Sequence, residues 1–168
     1  MGPFRRPALT LASIEDIFQR RQWRYARMEE GLLTSFENVT MVFFVDEERQ
    51  TAILQVPVVP GRGMAGYHPV RPSAENDACV YLMARNFYIL LGRYCRDHVD
   101  GEIRFAVAIP VLGSVLVDEQ LEHAILAGVG TVTRDAAVLN ALLTGAMPLG
   151  QALARIDTGD SPPTAMVV

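Results

Sequence analysis

The chain switches between two hydrophobic periods, and the switch points mark its elements. Leu11, Ile14, Ile17 and Phe18 recur at three- and four-residue spacing, which predicts a helix over residues 10–21. Ser13 with Asp16 three residues on matches a capping box, and Thr10 is a rival N-cap. From Trp23 the period drops to two, so that Trp23, Tyr25 and Arg27 can share one strand face. Gly31 begins a turn, and strands are predicted over 32–36 and 39–46, joined tightly at Glu37-Asn38. The acidic run from Asp46 to Glu48 turns the chain into a further strand over 51–59. Pro57 has no N–H for a ladder, which calls for an edge position or a strand end.

Residues 61–72 form a long loop with three glycines and two prolines. A second helix is predicted over 73–91, then strands over 93–98 and 102–110 around Asp100-Gly101, a hairpin signal. Ile103, Phe105, Val107 and Ile109 alternate as one buried strand face would. From Asp118 helical spacing returns through Leu121, Ile125, Val129, Val132, Ala136, Leu139 and Leu143. Gly128 and Gly130 predict a break or kink there, and Pro148 can open a last helix to about residue 156. The class is therefore α+β: an antiparallel sheet of about five strands with helices packed on it, in the order α-β-β-β-α-β-β-α. A single domain over 9–157 is expected, with a flexible arm at 1–8 and a flexible tail at 158–168.

Composition narrows the function. Half of the 168 residues are hydrophobic and a fifth are charged, a globular balance. The net charge of −4 runs against binding to duplex DNA or an anionic membrane. All 15 basic residues are arginine. The first residues, MGPFRRPALTLAS, lack the long apolar core of a secretory leader, and no apolar run reaches membrane-spanning length. A cytoplasmic location is expected on that basis.

No catalytic motif assembles. The GRGMAG loop lacks both the GK[ST] ending of a P-loop and the acid-linked pattern of a dinucleotide fold. His68, His98 and His123 fall in three different elements without HExxH or HxH spacing, and Cys79 and Cys95 form no CxxC. Ser114 has no GxSxG frame. The chain is read as non-enzymatic, with no cofactor and no metal. Arg20, Arg21, Arg24 and Arg27, interleaved with Trp23 and Tyr25, form a basic cluster that suits an acidic protein patch better than a nucleic acid.

The second helix is the most informative segment. From Ala78 to Leu91 it reads ACVYLMARNFYILL, with only Arg85 and Asn86 breaking the apolar run. One stripe, through Cys79, Leu82, Met83 and Leu90, can face the sheet. A second, through Val80, Tyr81, Ala84, Phe87, Tyr88 and Leu91, then needs other cover, because a helix apolar all round must be buried all round. Either the C-terminal helices supply it or a second copy of the chain does. A homodimer is the expectation. The apolar run MVFFV in the third strand points the same way.

The N-terminal helix, the meander, the helix through MARNFYILLGRYCRD and the hairpin HVDGEIRFAVAIP together resemble the YbjN family. The resemblance spans about residues 9–156, with Asn86, Gly92 and Asp100-Gly101 as its signature. It implies the fold of type III secretion chaperones, a homodimer without enzymatic activity, and a role in holding or regulating a client protein. Two other readings stay open. One is a small-molecule-sensing regulator with a pocket near residues 61–72. The other is a nucleic-acid-associated factor using the arginine cluster.

Overall fold

A computed structural model of the chain describes residues 8–111 and 115–157. Nearly all of the expected arm, the whole of the expected tail and Ser114 lie outside the described residues. The elements run α1 (Leu11–Arg20), β1 (Ala26–Arg27), β2 (Leu32–Phe36), β3 (Val39–Asp46), β4 (Thr51–Val59), α2 (Pro72–Tyr88), β5 (Arg93–Arg96), β6 (Ile103–Pro110), α3 (Asp118–Thr144) and α4 (Leu149–Asp157). The strands make one six-stranded antiparallel sheet in the order β1-β2-β3-β4-β6-β5. The α+β class and the antiparallel sheet are as expected, with one strand more.

Local chemistry explains most boundaries. Thr10 is the N-cap of α1, and its capping box is closed by Ser13 at the third helical position. The Ser13–Asp16 box is thereby corrected: Ser13 already lies inside the helix. The β2–β3 turn puts Glu37 and Asn38 at φ 48° and 67°, as a tight hairpin with right-handed twist requires. Pro57 sits in a central strand, but beyond Gln55, where β3–β4 pairing stops, and beside the register shift of β4 against β6, so its missing N–H falls at the end of the ladder. The strand expected from Trp23 shrinks to Ala26–Arg27. Trp23 and Tyr25 turn instead onto Phe18 of α1, edge to face at 5.3 and 5.6 Å, and Phe18 meets Phe43 at 5.2 Å.

The core lies between the sheet and the helices. Leu32, Met41, Phe43, Leu54, Phe105 and Val107 fill one sheet face, and each is fully buried. α3 crosses that face over β4 and β6, while α2 packs on α3, α4 and β5. The expected break in the third helix does not occur; α3 is continuous for 27 residues. Gly128 serves packing rather than a kink, since a Cβ there would stand 3.2 Å from Val56 Cγ2 and 3.4 Å from Leu54 Cδ2. Glycine lets the helix axis approach β4. As one unbroken helix, α3 is long and apolar enough to cross a membrane by length and composition alone, which corrects the expectation that no run reaches that length. Its stripe from Leu121 to Leu142 is buried against the sheet and α2.

Gly130 lies two residues on and faces open space, with nothing within 4 Å of where a methyl group would stand. Gly130→Ala should therefore stabilise the fold by about 0.5–1 kcal/mol and raise the melting temperature by roughly 1–4 °C. Gly128→Ala should give no such gain, because the Val56 side chain must give way by a few tenths of an ångström. Thermal unfolding of the two variants checks the contrast.

Candidate partner-binding surfaces

α2 begins at Pro72, whose fixed φ suits the first helical position, and Arg71 precedes it without a side-chain cap. Its buried side is Ala74, Ala78, Tyr81, Leu82 and Arg85. Of the stripe expected to face the sheet only Leu82 is buried: Met83 is 73% exposed, Leu90 is 89% exposed and Cys79 is half-buried. Of the stripe expected to need cover, Phe87 is 85% exposed, and Val80, Tyr88 and Leu91 are exposed as well. Ala84 is half-buried. Tyr81 is corrected out of this surface; it is 2% exposed and points into the domain. The outward ridge is thus Val80, Met83 and Phe87 at helical spacing, continued by Leu90 and Leu91 past the helix end. The C-terminal helices cover the opposite side of α2 and leave this ridge bare.

What turns the helix this way is a buried polar knot. The Asp135 carboxylate of α3 accepts from Arg85 Nε at 2.9 and 3.0 Å, from the Tyr81 hydroxyl at 3.1 Å and from the Tyr94 hydroxyl at 2.9 Å. Arg85 and Asp135 side chains are only 6% and 2% exposed. Burial, and then the Asp135 charge, push both phenols well above the usual tyrosine range. In the sequence Arg85 reads as an interruption of an apolar helix, because its partner lies 50 residues on.

A second uncovered surface is the far face of the sheet. Leu33, Val42, Phe44, Ile53, Ala106 and Ala108 occupy neighbouring registers on it, with Gln55 between Val42 and Ala106. These side chains are half-buried by one another, except the exposed Ala108, and no helix lies over them among the described residues. The MVFFV run is the one sequence signal of this face. Met41 and Phe43 go to the core, while Val42 and Phe44 go outward.

The arginine cluster is mostly used within the chain. Arg20 pairs with Asp118 at 2.7 Å, Arg21 with Glu122 at 2.8 Å and with Asp118 at 3.3 Å, and Arg27 with Glu15. Arg24 alone of the four makes no ion pair among the described residues. Three of the four thus clasp the α1 end to the α3 start and to Glu15 within the chain, while the Arg20 and Arg27 side chains stay more than half exposed. The cavity beside residues 61–72 measures about 20 Å³ and is lined by Val59, Tyr67, His68, Glu75, Arg96 and Asp100. That is room for about one water, not for a metabolite. The three histidines are exposed, and no group of three or more metal-capable side chains converges among the described residues.

No family model and no curated protein matches the sequence. Solved structures do. YbjN from E. coli, described as a proposed transcription regulator, aligns at TM-score 0.58 and 14% identity over 80% of this chain and 94% of its own. A chain of the HopA1–SchA chaperone–effector complex aligns at 0.53 and 9% identity, covering 77% of this chain and 98% of its own. A chain of the ExsC–ExsE complex gives 0.54 and 12%, covering 77% and 95%. This chain has a YbjN-like fold. It is the fold of type III secretion chaperones, as the sequence resemblance implied. Within the YbjN-like domain, the Asp135 knot ties α2 to α3 and β5, and the two bare apolar surfaces flank that tie.

Removing Asp135 should be costly. Asp135→Ala strands Arg85 in the interior and should destabilise the domain by about 3–5 kcal/mol, read as a lower urea midpoint. Alkali should act through the same knot. An unfolded tyrosine ionises near 10, whereas Tyr81 and Tyr94 stay protonated above that in the fold. Stability is therefore full below about pH 10 and falls as pH rises past it, because the unfolded chain releases those protons first. Melting temperatures between pH 8 and 11 should show the fall, and Tyr94→Phe should flatten it.

Proposed function

We propose that this chain is a non-catalytic protein-binding module, a cytoplasmic chaperone or adaptor that works as a homodimer and holds a client protein. The observation that carries this reading is the presence of two separate uncovered apolar surfaces on one domain. Soluble monomers avoid contiguous apolar patches unless the patch binds something. The likeness of the fold to chains solved in complexes, one of them a chaperone–effector complex, supports it.

The two surfaces suit different partners. The ridge on α2 carries no charge between Val80 and Leu91 on its outward side, so a second copy can meet it about a two-fold axis without like-charge repulsion. Phe87, flanked by Tyr88 at 5.4 Å between ring centres, is the natural anchor of such an interface. The far sheet face is broad and apolar, and it suits an extended apolar segment of a client.

Light scattering behind size exclusion tests the pairing. The expected mass is twice the 18.5 kDa of one chain. Phe87→Asp should give a folded monomer. A wild-type chain that stays monomeric at every concentration would remove the homodimer from this reading. The client surface has its own test: a partner recovered in stoichiometric amount by Phe87→Asp should be lost on Ile53→Glu, and retention would show that the sheet face is not where it binds.

A further inference from the structure

The two edges of the sheet end differently. In an antiparallel ladder every second residue of an edge strand turns its N–H and C=O outward, ready to pair with another strand. On β5, where Tyr94 and Arg96 turn outward, the first outward residue is Tyr94. Its N–H donates to Asn86 Oδ1 at 2.7 Å, and its C=O accepts from Asn86 Nδ2 at 3.0 Å. A side-chain amide carries the same donor and acceptor as a peptide group. Asn86 therefore occupies the place that one residue of a neighbouring strand would take. β5 is only four residues long, so filling one of its two outward positions leaves Arg96 alone, too short a run on which a ladder could form. At the other edge, β1 has two residues, and no side chain bonds to the backbone of Ala26 or Arg27 among the described residues.

We infer that Asn86 is an edge guard: its amide closes β5 against strand addition by a second copy of this chain. The setting explains why a guard is needed there. Asn86 precedes Phe87, and the exposed Leu90 and Leu91 link α2 to β5. Copies drawn together by that apolar ridge would bring two β5 edges close. With the edges closed, contact stays between side chains and the sheets stay separate.

The test uses the full chain in a Phe87→Asp background, so that its result does not depend on the proposed α2 pairing. Asn86→Ala in that background should remain folded by circular dichroism. Its mass should rise at least twofold with concentration. At low concentration its Tyr94 amide should exchange with solvent at least tenfold faster than in the Phe87→Asp parent, and protection should return on assembly. Faster exchange with an unchanged mass would overturn the inference and leave Asn86 as a plain tie between α2 and β5. If Asn86→Ala does not fold, Asn86→Asp decides. It keeps an acceptor for the Tyr94 N–H and frees only the carbonyl, so a smaller rise in mass is expected, and no rise overturns the guard.

Discussion

A β-sheet has two faces, and every apolar side chain on either one must leave water. Here the helices on hand cover one face. α3 lies along it, and α1 closes it beside Phe43. The other face still carries Leu33, Val42, Phe44 and Ile53. The rest of the architecture follows from that imbalance. α2 cannot lie over the far face, because Asp135 holds it against α3 and β5. It joins the covered side as an outlying layer and so acquires an outward surface of its own.

The buried ion pair is not simply a gain in stability. Taking both charges out of water offsets much of their attraction. What the pair adds is discrimination. Small and apolar residues such as Ala78 and Leu82 would bury in several rotations of α2, but only one of those brings Tyr81 and Arg85 onto the same carboxylate.

Most of the fold is legible from periods alone. Strands with one wet and one dry face announce themselves, as Ile103 to Ile109 do, and turns such as Glu37-Asn38 follow from backbone chemistry. What stays hidden is set by contacts distant in sequence. Arg20 and Arg21 look like a basic patch until Asp118 and Glu122, about a hundred residues on, are brought alongside. Gly128 looks like a helix breaker until Val56 is seen against it. Met83 and Leu90 look like inward positions because a wheel that buries Arg85 makes no sense without its partner. The apolar character of α2 is readable; its rotation is not.

That rotation has a mechanical meaning. Arg85 and Tyr81 are one helical turn apart, so a single carboxylate grips α2 at two successive rungs. A roll of about 100°, one residue's step around the helix, would carry Phe87 toward shelter but would tear both rungs from Asp135. The carboxylate therefore works as a detent. It keeps the apolar side of α2 pointing outward in the protomer, so that a partner of the kind proposed would meet a surface already aimed at it and need not bear the cost of turning the helix first.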